Sequence, residues 1–431
     1  CVRNALAASL SWWAHALFVD PFIFLGCCNA VCTKLYAILI LSILTRFFMP
    51  EKNPHHYRLE KIHQDATAWA LFFIMVFGLW QLTGALLNHQ QMNYPDTWSD
   101  FFEGRLTTTL EKQIDKNLPL REEIIAVANG IRYNLTGGAN DQVRLGHEGW
   151  LFLTEEIRFY ENSAGHLVFR ADLIASVAHA LRARHIHLLV AIIPDKSRIY
   201  SEKLIGWQYP KYNDTRYTSA LAELGRRNIA SVNLLDPLLK ISSEHEVYYR
   251  TDTHWNQLGA QIAAEQIARI AQALPLGETV HFQTYQASIK QPRQGDLVKL
   301  MGIASLPPIW RPQDDLEAAA FTQQISKSTT ATDLFGDMQI PVTLLGTSYS
   351  LRGNFHGYLQ QKLSVPVLNM AKDGGGFLQA ASSYFTSEEF HTSPPRLIIW
   401  ELPERFLYAP LKEELEWQKI HAAAFGQAAK E

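Results

Sequence analysis

The chain has 431 residues, 47% of them hydrophobic and 19% charged, with a formal net charge of -3. That length admits one large domain with appendages, and a near-neutral balance without a Lys/Arg block excludes a surface that tracks nucleic acid. All the cysteines (Cys1, Cys27, Cys28, Cys32) lie at the start, so the body contains no disulfide framework, thiolate nucleophile or cysteine-based zinc site.

Residues 1–48 carry no methionine before Met49 and hold two apolar patches broken by Asp20, Pro21 and Lys34. They read as an upstream extension or an extra membrane segment. Residues 49–65, with Lys52, Arg58 and Lys61, read as a cytoplasmic N-terminus. Ala66 to Leu87 is a run of roughly 22 uncharged residues, long enough to cross a hydrocarbon core of about 30 Å as a helix. Trp69 and Trp80 suit its interfaces. The basic residues precede the run and none follows until Arg105, so the positive-inside rule sends the rest of the chain across the membrane. The reading is an uncleaved single-pass anchor with an exported body.

Residues 88–140 read as a polar helical neck, with Phe101, Leu106, Leu110 and Ile114 at helical spacing before Pro119. "QVRLGHEGWLFL" then predicts two strands joined by a turn at Glu148-Gly149. From "RADLIASVAHALRARH" onward, predicted helices alternate with continuous apolar strands: "IHLLVAIIP", "ASVNLLDPL", "IPVTLLG", "SVPVLNMA" and "RLIIWELP". Strands of that kind are buried on both faces, which predicts an α/β domain with a mostly parallel sheet over 141–410. Phe282 to Asp337 reads as an irregular polar insertion or lid, and 411–431 as an exposed C-terminal helix.

Two strand ends carry chemistry. "TDTHWNQLGA" places Asp252 and His254 two positions apart ahead of a helix; in extended backbone both would emerge on one side. "LLGTSYS" ends a buried strand with Gly346 and Thr347 before Ser348, which would stand at the tip of the turn. A serine hydroxyl is a weak nucleophile until an imidazole takes its proton. Histidine, with an ordinary pKa of about 6.5, suits that task. A carboxylate then fixes the ring tautomer. Ser348, His254 and Asp252 are therefore the catalytic candidates. An Asp before a helix is also a common N-cap. No third ligand at diagnostic spacing accompanies the pair, so no metal is expected.

Together, "GHEGWLFL", "TDTHWNQLGA", "LLGTSYS", "VLNMAKDGGG" and "LIIWELPERF" resemble the alginate O-acetyltransferase family, the AlgX/AlgJ-like branch of the SGNH hydrolases, across about Leu110 to Tyr408. The resemblance implies a flavodoxin-like SGNH fold with Ser348, His254 and Asp252 as its triad, in permuted order because Asp-x-His precedes the serine. Thr347 stands where ordinary SGNH esterases carry Asp in Gly-Asp-Ser, and its hydroxyl could replace the lost oxyanion-loop hydrogen bond. The anchor, and no carbohydrate-binding module after Tyr408, match the AlgJ-like branch. The family acetylates exopolysaccharides in the periplasm of Gram-negative bacteria, beside a multi-pass membrane-bound O-acyltransferase that supplies acetyl groups and other export proteins; no cofactor is implied.

Oxyanion candidates are the N–H groups of Ser348 and of Gly374, Gly375 and Gly376, and Asn369 is a further candidate or only a turn residue. Tyr349, Trp255 and Phe355 could stack on a sugar or pack in the core. Arg405 reads as substrate-binding or, with Glu404, structural. Two rival functions use the same residues: a periplasmic acetylesterase, with water as acceptor, and a non-catalytic scaffold of an acetylation and export complex.

Overall fold

Apolar strands need cover on both faces. That requirement organises the second of the two units into which the chain divides, Cys1–Ile124 and Ile125–Glu431. The computed structural model describes residues 121–417 except 205, 207, 208 and 326–339, together with 68, 69, 72, 73, 75 and 76. Those last six are helical, and the Trp69 ring meets Phe72 and Phe73 at 5.7 and 6.0 Å. Among the described residues no helix is long and apolar enough to cross a membrane. Most of the predicted anchor 66–87, all of 1–65 and the neck up to 120 lie outside them.

Helix α1 (Arg121–Thr136) ends the neck. Strands β1 (Val143–Leu145) and β2 (Leu151–Leu153) pair antiparallel across the predicted turn. Helix α2 (Ser163–Arg182) leads into β3 (His187–Ile193). Next come α3 (Arg216–Arg226), β4 (Ala230–Asn233) and α4 (Leu235–Ser242). The predicted strand "ASVNLLDPL" thus stops at Asn233; the Asn233 side chain accepts from the Leu235 N–H at 3.0 Å and starts a helix instead. Helix α5 (Gln257–Ala271) follows the Asp-x-His loop. The later core elements are β9 (Val342–Leu345), α7 (Phe355–Leu363), β10 (Val367–Asn369), α8 (Gln379–Phe385), β11 (Leu397–Pro403) and α9 (Glu404–Tyr408).

The central sheet is parallel throughout, in the order β10-β9-β11-β3-β4. Counted from β9 and wrapped through the chain start, this order reads 2-1-3-4-5, the flavodoxin arrangement. The permuted order expected from the motifs is therefore present in the strands themselves. Alternate side chains serve opposite faces, as the pleat dictates. Leu189, Ala191, Ile193, Leu344 and Ile399 pack with Ala260, Ala264 and Ile267 of α5 and Leu359 of α7. Leu188, Val190, Ile192, Trp400 and Leu402 pack with Ile174 and Val177 of α2 and Tyr217 and Leu224 of α3.

The insertion read as irregular is ordered over its described part. Strands β5 (Phe282–Gln286) and β8 (Ala320–Gln324) pair antiparallel, as do β6 (Gln291–Arg293) and β7 (Asp315–Glu317), with α6 (Asp296–Leu300) between. Its sequence is polar because much of each ribbon faces water. Leu297, Val298, Met301 and Ile303 nevertheless form a small core with Val143 and Leu151. The tail also differs at its start: Glu414 and Trp417 are buried, and Arg170 of α2 pairs with Glu414. Residues 418–431 lie outside the described residues.

Candidate active site

In an open parallel sheet, reactive groups gather beyond the carboxyl ends of the strands. β9 ends at Leu345, and Gly346 and Thr347 turn the chain into a single 3-10 turn, Ser348–Leu351. Only glycine fits at 346: a Cβ there would stand 2.4 Å from Ser350 Oγ and 2.6 Å from Glu401 Oε2. Glu401, on β11, is 0% exposed. It accepts from the Thr347 N–H at 2.7 Å, the Thr347 hydroxyl at 3.0 Å and the Ser350 hydroxyl at 2.9 Å. Burial raises the Glu401 carboxyl above its ordinary range, and these hydrogen bonds pull against it. The Thr347 hydroxyl is therefore committed to Glu401. It holds the serine turn rather than replacing an oxyanion-loop contact.

The Asp-x-His segment differs from the extended strand end expected. Tyr248 and Trp255 bridge antiparallel, and residues 250–254 bend between them. Asp252 Oδ1 accepts from the His254 main-chain N–H at 2.9 Å, an Asx turn. The same oxygen lies 2.6 Å from His254 Nδ1. His254 Nε2 lies 2.6 Å from Ser348 Oγ. Asp252 and His254 are buried and Ser348 is half-buried. The structure thus brings the three candidates into one hydrogen-bonded line, with carboxylate and ring joined by a turn rather than by strand alternation.

The insertion supplies groups that no local motif announces. Asp252 Oδ2 accepts from Arg293 at 2.9 Å and from the Asp296 N–H at 3.0 Å. Asp296 Oδ1 accepts from the Thr253 N–H at 2.7 Å. Asp315 accepts from the Arg250 and Thr251 N–H groups at 2.9 and 3.0 Å. Burial alone would raise the Asp252 carboxyl. The hydrogen bond and charge of His254, with Arg293, outweigh it and hold the group well below the usual carboxylate range. Asp296 is raised instead, by burial and by the neighbouring Asp252 charge.

Beneath the loop, Lys196 is 0% exposed. Its ammonium donates to the carbonyls of Leu151, Arg250 and Asp252 at 2.6, 2.8 and 2.9 Å. Burial pulls it down to about 8, against the carboxylates of Glu156, Asp315 and Asp252. The only hint of these partners in the sequence was a charged "DKS" at the end of a buried strand and "GD" ahead of a helix.

Asp252, His254 and Asp296 bring ligand atoms within 4.8 Å of one another, so the third acid that the sequence spacing did not reveal is present. Their hydrogen bonding does not suit a cation. Both Asp252 oxygens already accept N–H donors, and the Arg293 guanidinium repels positive charge there.

The remaining candidates divide. Among the described residues the Ser348 N–H, first in its turn, has no hydrogen-bond acceptor, as an oxyanion donor requires. Gly374 and Gly376 are glycine because their φ values are 68° and 57°. The Gly375 N–H donates to the Lys372 carbonyl at 3.2 Å, and no hydrogen bond joins the three glycines to Ser348. Asn369 is a turn residue: it donates to the Ser350 carbonyl at 3.2 Å and accepts from the Ala371 N–H at 3.1 Å. Tyr349, Trp255 and Phe355 are fully buried, so they cannot stack on a sugar. Instead Tyr349 lies edge-on to His254 at 4.8 Å and donates to the Thr253 carbonyl at 2.9 Å. Arg405 is likewise buried, 3.6 Å from Asp195, while Glu404 pairs with Arg198 at 2.5 Å. Both are structural.

A crowded glycine offers a test of how the insertion is joined to this loop. A Cβ on Gly295 would stand 2.0 Å from the Thr251 carbonyl oxygen. Its φ of -72° suits any residue, so the obstacle is purely steric. Gly295→Ala is expected to lower stability by about 1–3 kcal/mol and to displace Thr251 beside Asp252. Urea unfolding checks the first effect and initial rates the second. Gly225→Ala, with open space around it, is the control and should leave both unchanged or slightly improved.

A family model described as SGNH hydrolase-like domain, acetyltransferase AlgX, matches residues 143–404, more than half of the chain. The chain belongs to this family. Membership places it among the O-acetyltransferases, as the five ordered motifs implied. The probable alginate O-acetylase AlgJ of Azotobacter vinelandii is 32% identical over 338 residues, which is 78% of this chain and 86% of that protein. The probable alginate O-acetylase AlgJ of Pseudomonas fluorescens is 34% identical over 318 residues, 72% of this chain and 79% of its own length. The solved O-acetyltransferase domain of Pseudomonas putida AlgJ matches with a TM-score of 0.57 at 30% identity, over 66% of this chain and 98% of that domain.

Proposed function

We propose that this chain is a membrane-anchored periplasmic O-acetyltransferase that modifies an alginate-like exopolysaccharide through an acetyl-serine intermediate. The observation that carries the reading is the line of contacts from Ser348 Oγ to His254 Nε2 and from His254 Nδ1 to Asp252 Oδ1, each 2.6 Å. His254 takes the proton of Ser348 as Oγ attacks the carbonyl carbon of an acetyl donor. The Ser348 N–H faces the developing oxyanion. The bond from carbonyl carbon to the donor's leaving group then breaks, and His254 returns the proton to that group. A sugar hydroxyl next loses its proton to His254 and attacks the acetyl carbon. Ser348 Oγ departs and is reprotonated. Asp252 keeps the ring in the productive tautomer and balances the imidazolium at both stages.

The uncharged run 66–87 and the basic residues before it support the anchor and its orientation. The donor is an acetyl ester or thioester presented by a multi-pass membrane-bound O-acyltransferase, and the chain itself carries no cofactor. The names of the AlgJ relatives support alginate as the acceptor.

Incubation with an aryl acetate and an acid quench is expected to leave one acetyl group on the peptide that contains Ser348, read by mass spectrometry. An unmodified Ser348 during turnover would overturn the covalent step. Addition of an oligouronate should then yield acetylated oligosaccharide; acetate alone would make the protein an esterase.

A further inference from the structure

Asp252 is not the only carboxylate at the back of the imidazole. Asp296 Oδ2 lies 3.6 Å from His254 Nδ1, across from the 2.6 Å contact of Asp252. Asp296 heads α6, 42 positions downstream of His254, on an insertion outside the sheet. Its two oxygens are used differently. Oδ1 caps the Thr253 N–H, and its own N–H caps Asp252 Oδ2. Oδ2 faces the ring. The Asp296 side chain is 36% exposed while that of Asp252 is 3% exposed, so it is the wet partner of a dry acid.

The geometry points to Asp296 as a positioning residue that acts through His254: a second carboxylate that steadies the imidazolium while the proton of Ser348, and then that of the acceptor, resides on the ring. The inference rests on the Ser348–His254–Asp252 reading above. Two like charges beside one ring need a counter-charge, and Arg293 provides it. Arg293 donates to Asp252, lies 3.2 Å from Glu317 and stacks over Tyr249 at 4.1 Å. The charged groups that face this ring are Asp252 on its own loop, Asp296 from α6, Arg293 from β6, Lys196 beneath the loop and Glu401 from β11. Three carboxylates, Asp252, Asp296 and Glu401, thus stand against two cations, Arg293 and Lys196, around the place where the transient imidazolium forms.

Asp296→Asn separates the electrostatic role from the structural one. Asparagine keeps an oxygen for the Thr253 N–H and removes the charge. An anion beside the ring favours its proton, so without it the ring gives up that proton at lower pH. The imidazole titration, followed by NMR, is expected to move down by about one unit, roughly tenfold in proton affinity. The acid limb of kcat/KM should move the same way, and plateau kcat should fall several-fold because the imidazolium formed during reaction is less stabilised. Asp296→Ala removes the cap as well and should also lose stability. A ring titration and pH–rate profile in Asp296→Asn that overlay wild type, with only Asp296→Ala impaired, would overturn the inference and leave Asp296 as a cap alone. Full activity in Ser348→Ala would instead defeat the nucleophile reading, and the NMR titration would still decide the role of Asp296.

Discussion

Ser348→Ala is expected to abolish acetyl-ester turnover, with kcat falling by about 10⁶-fold in an assay with that range. The hydroxyl is the only atom of this residue that reaches His254 Nε2, at 2.6 Å. Alanine leaves the turn intact, because Thr347 and Ser350 hold it through Glu401 rather than through Ser348. The variant should therefore fold like wild type and unfold at the same urea midpoint. Normal folding with no acetyl on the Ser348 peptide is the signature of a lost nucleophile. Wild-type rates in this variant would remove Ser348 from the chemistry and place turnover elsewhere in the protein.

Asp252→Asn is expected to cost about 10⁴-fold in kcat while leaving KM nearly unchanged. The Asn amide would present N–H to His254 Nδ1 and force the ring into the tautomer that cannot accept from Ser348. It would also weaken the contact with Arg293, now 2.9 Å from a full carboxylate. The same substitution has a stability signature whose sign follows from the shift. Asp252 is held below its ordinary range in the folded protein, so its ionised form stabilises the fold. That contribution is complete above the unfolded value of about 3.9 and is lost as pH falls through the folded one. Asp252→Asn should therefore be less stable than wild type at neutral pH, and the gap should narrow as the medium becomes more acidic than the unfolded value. Urea midpoints at several pH values measure it. A gap that widens towards acid would show that the carboxylate is not stabilised as described.

The parts of this site that were legible in the sequence are those whose cause is local. Asp252 and His254 could be paired from two positions of spacing. The spacing does not fix their geometry, because an Asx turn and an extended strand end both bring such side chains together. Ser348 could be placed because a Gly-containing turn after a buried strand has one exposed tip. Tyr349, Trp255 and Phe355 could not be assigned from residue type. An aromatic beside a catalytic motif looks the same in sequence whether it faces a sugar or supports a histidine from below. Only burial separates the two, and here all three rings lie in the core.

The apolar runs by themselves pointed to a mostly parallel sheet covered on both faces, because a strand buried on both sides shows no alternation; β4 departs from that pattern, with Ala230 and Asn233 exposed at the sheet edge. The motif order likewise determined that the serine strand would come after the Asp-x-His loop. Tertiary structure alone decided which distant charges complete the site. Arg293, Asp296 and Asp315 come from a polar insertion, Lys196 from the end of β3 and Glu401 from β11. Each acts through space, over 2.7 to 3.0 Å, on groups tens of positions away in the chain. Electrostatic energy depends on separation in space and on burial, neither of which is written in the spacing of residues along a chain.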